Sequence, residues 1–327
     1  MLIQVERLSK TYRSSVKEPG LAGTLRHFVR RRYKEVAAVR DVSFGIEPGE
    51  VVGFLGANGA GKTTTLKMLT GLIQPSGGSA RVAGFEPFQR KRTFLSRITL
   101  VMGQKQQLIR DLPAIESLRI NAAVYEIGDA ESKKRIDELS TMLEIADKLK
   151  TPVRKLSLGE RMKCELLAAL LHHPDVLFLD EPTLGLDVNA QDTIRTFLRD
   201  YNQRYGATVL LTSHYMADIT ALCPRVILIH EGSLIYDGKL SGVLARFAPY
   251  REIEIQLRDA AAAGTLASYG EVQSADGRSV RLLVQREEVT RVVQRLFAEV
   301  ALEDLSVKDP PIEQIIGKIF KQGQAGA

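Results

Sequence analysis

An apolar run, VVGFL at 51–55, leads directly into Gly56-Ala57-Asn58-Gly59-Ala60-Gly61-Lys62-Thr63 and then into TTLKML. Few other short stretches constrain a fold so tightly. Five apolar residues bounded by turn signals read as a strand buried on both faces, and the residues after the glycines have helical apolar spacing. Between them, three glycines let the backbone wrap so that successive N–H groups point into one small space. The positive end of the helix dipole faces the same space. The pattern G-x-x-x-x-G-K-[ST] is the one that cradles a chain of phosphates, with Lys62 reaching the terminal phosphates and the Thr63 hydroxyl suited to Mg²⁺. Chance yields such a match in about one chain per hundred of this length, and the strand and helix on either side narrow it further.

The rest of the chain agrees with a sheet that such a loop would terminate. Strand-like runs at 2–8, 39–46, 51–55, 176–179, 208–212 and 226–229 alternate with helical ones at 190–205 and 216–222. That order predicts an α/β fold with a mostly parallel sheet covered by helices. A helical block interrupts it, with helices expected at 114–125, 131–148 and 157–172. Past about residue 250 the pattern changes to strands at 252–257, 279–284 and 305–307 around a helix at 287–299. Asp309-Pro310-Pro311 then precedes a last helix near 312–320. The expected organisation is a domain over 1–245 and a small α+β domain over 250–327. No apolar run approaches the roughly 20 residues of a spanning helix, and MLIQVERLSK lacks the order of a signal peptide. The expectation is therefore a protein that is neither secreted nor integral to a membrane. Cys164 and Cys223 fit no metal spacing and read as reduced thiols.

A second chemical feature lies at Val176-Leu177-Phe178-Leu179-Asp180-Glu181-Pro182, an apolar strand ending in two acids. Carboxylates at strand tips are how parallel sheets hold Mg²⁺ beside phosphates. Asp180 is the candidate metal partner, and Glu181 the candidate base or positioning group for an attacking water.

Here the sequence resembles a known family. LSLGERMKCE at 156–165 is similar to the signature sequence of ATP-binding-cassette (ABC) ATPases, usually LSGGQ. Thr183-Leu184-Gly185-Leu186-Asp187 resembles their D-loop, Leu211-Thr212-Ser213-His214 their switch histidine, and Val101-Met102-Gly103-Gln104 their Q-loop. Tyr12 falls where the adenine-stacking aromatic sits. All of these occur in family order over residues 1–240. The resemblance implies a P-loop ATPase with an N-terminal antiparallel β part and a helical signature subdomain over about 105–172. It implies ATP and Mg²⁺ as cofactors, and ATP clamped between the phosphate loop of one copy and the signature helix of another. Catalysis would fall to Glu181, His214, Lys62 and Gln104. Nucleotide would be held by Tyr12, Gly56, Asn58, Gly59, Ala60, Gly61, Lys62, Thr63 and Thr64, with Ser157, Gly159 and Asp187 completing the other half-site. Mg²⁺ would be held by Thr63, Gln104 and Asp180. Two positions depart from the family's pattern: Leu158 where glycine is usual and Glu160 where glutamine is usual.

The implied partners are separate transmembrane permease subunits and a second ATPase subunit, with a homodimer favoured because this chain carries both half-sites. The implied place is the cytoplasmic side of the cell's inner membrane, as a peripheral protein. Within the family the chain resembles drug-type exporter ATPases; an importer's ATPase and a soluble non-transport ABC ATPase are the alternatives. Charge bears on this. Residues 13–40 hold eight basic side chains against Glu18 and Glu35, a surplus equal to the whole chain's net charge of +6. This insertion, about 14–36, places Leu21, Leu25, Phe28, Val29 and Val36 on one helical stripe, with Arg26, Arg30 and Lys34 on the other side. A basic amphipathic helix would touch an anionic membrane surface or the permease, and a solvated basic helix packed on its own domain is the equal alternative. Nucleic acid is not expected, since only Phe28 and Tyr33 interleave the basic residues.

Overall fold

The computed structural model describes residues 1–16, 32–103, 106–259 and 266–325. The chain divides into two compact units, Met1–Asp237 and Gly238–Ala327.

In the first unit, β1 (Ile3–Val16), β2 (Arg32–Ile46) and β4 (Gly77–Val82) form an antiparallel sheet in the order β2-β1-β4. The second sheet has six strands in the order β5-β6-β7-β3-β8-β9. They are β3 (Val51–Leu55), β5 (Ile98–Met102), β6 (Val176–Asp180), β7 (Thr208–Thr212), β8 (Arg225–His230) and β9 (Ser233–Lys239). The pairs β5–β6, β6–β7, β7–β3 and β3–β8 are parallel. The inner strands are buried along nearly their whole length, which is why they read as continuous apolar runs. Helix α1 (Lys62–Leu69) contributes Leu66, Met68 and Leu69 to a core shared with Phe44 and Ile46 of β2, Phe54 of β3 and Phe178 of β6. A four-residue helix, α2 (Arg92–Leu95), precedes β5. The helical block consists of α3 (Ala114–Val124), α4 (Asp129–Met142) and α5 (Leu158–Leu170), followed after β6 by α6 (Val188–Tyr205) and after β7 by α7 (Met216–Leu222). Helix α4 stops six residues short of the expected end. Glu144 turns left-handed at φ 52°, and the Ile145 N–H closes onto the Ser140 carbonyl instead of continuing the helix.

The basic insertion requires a correction. Where it is described it is strand, not helix: β1 runs on to Val16, β2 begins at Arg32, and the two pair in register with Val16 opposite Arg32. Lys34 and Val36 therefore lie on β2, opposite Ser14 and Tyr12, and belong to no helical stripe. An antiparallel ladder joins the two strands of this ribbon, and Arg13 and Glu35, directly opposite, form an ion pair at 2.8 Å. Leu21, Leu25, Arg26, Phe28, Val29 and Arg30 lie outside the described residues.

The second unit holds α8 (Leu240–Phe247) and an antiparallel sheet in the order β11-β12-β10-β13. Its strands are β10 (Tyr250–Leu257), β11 (Glu271–Asp276), β12 (Ser279–Gln285) and β13 (Leu302–Lys308). Helix α9 (Val289–Glu299) lays Val289, Val292 and Leu296 on Ile253, Ile255, Val280 and Leu282, giving this unit a core of its own. Helix α10 (Ile312–Ala325) ends it. Strand β11 is exposed at every residue, so it lacks the apolar alternation by which the other strands are read.

Candidate nucleotide site

Strand order builds the site. Strands β6, β7 and β3 are neighbours, so the segments leaving their C-terminal ends emerge side by side, as ligand sites do in open parallel sheets. From β3 comes the glycine loop, from β6 the two acids, and from β7 the segment Ser213-His214. Register sharpens this, because Met102, Asp180 and Thr212 sit level across β5, β6 and β7.

The glycines of the loop answer to contacts as well as to turn geometry. Gly61 has φ 105°, and a Cβ there would lie 2.4 Å from the Ala38 carbonyl oxygen; one on Gly56 would lie 2.5 Å from that of Ile229. A strap outside the loop closes the packing: the Gly232 N–H donates to the Ala60 carbonyl at 3.0 Å, and the Arg40 N–H to the Gly232 carbonyl at 2.7 Å. Asn58 and Gly59 at the tip are exposed, and Thr64 is half-buried in the first turn of α1. Lys62 is buried, and its Nζ donates to the carbonyls of Gly56 (2.7 Å) and Ala57 (3.1 Å). Burial pulls its pKa below the ordinary lysine value, while the carboxylates of Glu181 and Asp180 work the other way. The ammonium is thus a desolvated donor held at the loop.

Asp180 is gripped from both sides. The Thr63 hydroxyl donates to its Oδ2 at 2.9 Å and the Thr212 hydroxyl to its Oδ1 at 2.7 Å. Next to it, Glu181 has φ 56°, a left-handed backbone that a glutamate adopts only where its surroundings impose it. The imposing contacts are visible: its N–H donates to the Thr212 carbonyl at 3.0 Å, and the Gly103 N–H donates to the Asp180 carbonyl at 3.0 Å. Gly103 has no room for a side chain, since a Cβ would meet the Glu181 carbonyl at 2.5 Å. The Glu181 carboxylate turns to His214, whose Nε2 lies 2.8 Å from Oε1. Thr63, Met102, Gly103, Asp180, Glu181 and Leu184 line a cleft of about 400 Å³.

The remaining sequence-derived residues lie at other points of the same unit. Ser157 is exposed and caps α5, accepting the Glu160 N–H at 3.1 Å, while the Glu160 carboxylate accepts the Ser157 N–H at 2.8 Å. The unusual Glu160 is thereby explained as half of a capping box, with Lys148 Nζ 3.7 Å away. Leu158 is exposed beside Gly185. Gly159 is required by packing, as a Cβ would come within 2.8 Å of the Ala190 Cβ. Asp187 caps α6 by accepting the Ala190 N–H at 3.0 Å. Tyr12 is on the β1–β2 ribbon opposite Val36, with Lys10 Nζ 5.4 Å from its ring centre. Gln104 lies outside the described residues.

Sequence reasoning passed over Thr212, which fixes Asp180, and two buried acids. Glu165, on the signature helix, accepts the backbone N–H groups of Gln107 (2.8 Å) and Leu108 (3.3 Å), and burial raises its pKa. Asp218, on α7, is wholly buried. The signal for both was present: a lone acid inside an apolar run, as in CELLAALL, is tolerated only with partners.

A phosphate loop, a histidine after the neighbouring strand and a pair of acids at the tip of the next define a nucleotide hydrolase of the P-loop class. Comparison with known proteins narrows the class. The ABC transporter family model matches residues 39–184, and the model for the EvrA-like ABC transporter C-terminal domain matches 249–308. The chain is 40% identical over 210 residues to the ABC transporter ATP-binding protein NatA of Bacillus subtilis, over 64% of this chain and 85% of that one. It is 37% identical over 217 residues to the Nod factor export ATP-binding protein I of Paraburkholderia xenovorans, over 66% and 71% of the two chains. A solved ATP-binding subunit of an ABC transporter superposes with TM-score 0.62 at 26% identity, covering 76% of this chain and 93% of that one. The chain belongs to the ABC transporter family, as an ATP-binding ATPase subunit. No described helix is long and apolar enough to cross a membrane.

Proposed function

We propose that this chain is the motor of an exporter for hydrophobic or amphiphilic compounds, working as a homodimer beneath separate permease subunits on the cytoplasmic face of the membrane. The observation that carries the hydrolytic part is the 2.8 Å contact between His214 and Glu181, next to Asp180, which itself holds the Thr63 hydroxyl. Lys62 and the loop N–H groups hold the β- and γ-phosphates of ATP. The Thr63 hydroxyl and Asp180 carboxylate, 2.9 Å apart, are hard oxygen donors of the kind Mg²⁺ takes, and Mg²⁺ there would neutralise charge on the phosphates. Glu181 accepts the proton of a water that attacks the γ-phosphorus. The bond to the β–γ bridging oxygen breaks, and ADP leaves with the electron pair. His214 orients Glu181 and that water. Gln104 links the cleft to the permease, and Tyr12 stacks on the adenine.

Dimerisation is supported by the surface around the signature helix. Ser157, Leu158, Asp187 and Val188 are all exposed, with Leu158 and Val188 presenting apolar groups to solvent. A second copy facing this surface would bring its phosphate loop to Ser157 and Gly159 at the positive end of α5. Export is supported by the relative named for Nod factor export. The test is affinity purification of the tagged chain from native membranes, followed by reconstitution of the co-purified proteins in inside-out vesicles. Polytopic permeases should co-purify, and externally added ATP should drive an amphiphilic dye inward. Isolation without any permease, or movement of the dye only outward, would overturn the reading.

A further inference from the structure

Asp218 sits on α7, four residues after His214, with none of its surface exposed. A carboxylate so buried is costly unless its charge and lone pairs are matched. Its Oδ1 accepts from Arg195 Nε at 2.7 Å, which answers the charge. Arg195 is itself held by Asp192 Oδ1 (2.6 Å) and Gln191 Oε1 (3.0 Å), so the cation has a fixed place on α6. Oδ2 is the informative atom. It accepts two hydroxyls, those of Thr183 and of Ser213, the latter at 2.6 Å. Thr183 is two residues beyond Glu181, and Ser213 immediately precedes His214. The Ser213 hydroxyl oxygen also accepts the Tyr215 N–H at 3.0 Å, so the turn is braced on both sides of His214. On the other branch, the Leu186 N–H closes onto the Thr183 carbonyl at 3.2 Å and Gln191 Nε2 donates to the Leu186 carbonyl at 3.1 Å.

A carboxylate that served only the core could satisfy Oδ2 with any buried donors. Here one oxygen ties together the two segments that carry the two members of the His214–Glu181 contact, and both hydroxyls are short-armed and hold little slack. We propose that Asp218 is a positioning residue for ATP hydrolysis: by holding Thr183 and Ser213 on a single oxygen, it sets the register of His214 against Glu181. This rests on the hydrolytic roles given above to those two residues.

The test is a double-mutant cycle on the full chain, with steady-state ATPase and binding of a non-hydrolysable ATP analogue as readouts. Asp218→Asn keeps the size but removes the charge and leaves too few acceptors for three donors. It should lower kcat tenfold or more while KM for ATP and analogue affinity stay within twofold. In a His214→Ala background the same change should cost less than a further twofold, because what it positions is already gone. An equal loss in both backgrounds, or a rise in KM parallel to the fall in kcat, marks a merely structural role and overturns the proposal alone. His214→Ala at the parental rate overturns the pair's role and the proposal with it. Ser213→Ala, which alters no charge, runs the same cycle should Asp218→Asn fail to fold: a loss of threefold or more confined to the His214 background supports the clamp, and an equal loss in both backgrounds overturns it.

Discussion

At Glu181 a left-handed backbone, a neighbouring carboxylate and a histidine partner meet on one residue. The strain is kept because the β7 backbone and the side-chain-free Gly103 leave it no alternative. Glu181→Gln preserves size and shape but cannot take a proton. It should slow ATP hydrolysis about 10²–10⁴-fold, the range for removing a general base, while ATP still binds and drives dimer formation. Single-turnover hydrolysis with size-exclusion chromatography in ATP checks both, and a mutant at full rate would remove the assigned role. The chemical types Lys62, Thr63, Asp180 and Glu181 were legible from the chain because motif and strand stand next to each other in sequence. The grip of Thr212 on Asp180 was not, because two strands separated by a long helix must first be laid level.

Helix α5 illustrates the next scale. It begins where Ser157 and Glu160 satisfy each other's backbone N–H groups, and its first turn carries the signature residues. Read along the chain, Glu160 looks like a misplaced charge near a triphosphate. In the folded helix its carboxylate is bound to the Ser157 N–H and sits at the positive end of the dipole, where an acid is favourable. Glu160→Ala should destabilise the first turn by about 0.5–2 kcal/mol. Glu160→Gln should recover most of that loss, since an amide oxygen also accepts the N–H. Chemical denaturation of the three proteins, with hydrogen exchange at 157–161, measures it, and a destabilised Gln variant would contradict the capping role. The β1–β2 ribbon teaches the reverse lesson. The sequence offered a helical stripe there, and where the segment is described it pairs across strands instead, Arg13 opposite Glu35 and Val16 opposite Arg32.

For the molecule as a whole, stability should depend on pH through His172. Its ring stacks on Tyr125 at 3.8 Å, Nδ1 has no partner, and burial pushes its pKa down to about 4. A base with a lowered folded pKa stays neutral in the native state while the unfolded chain takes up a proton. Stability is therefore lost as pH falls from the ordinary value of about 6.5 to about 4, on the order of 2–3 kcal/mol. His173 shifts in the same direction, and Glu165 opposes both because its raised pKa favours the native state as pH falls. His172→Phe keeps the stack and removes only the first contribution. Urea midpoints at pH 7 and pH 4.5 should therefore differ less in the variant than in the parent. Equal differences would show that His172 is not the titrating group.

The local chemistry of this protein was settled by its sequence: which residues can wrap phosphates and which strand ends in acids. Such properties depend on neighbours a few residues apart, and a single chain displays them in order. Tertiary structure decided which of them meet. Asp218 touches Thr183 across 35 positions, Glu165 reaches Gln107 across 58, and Thr63 reaches Asp180 across 117. Contacts at those separations depend on strand order and register, and linear spacing carries no trace of either. The buried acids announce by their apolar surroundings that they need partners, and only the fold says which partners those are.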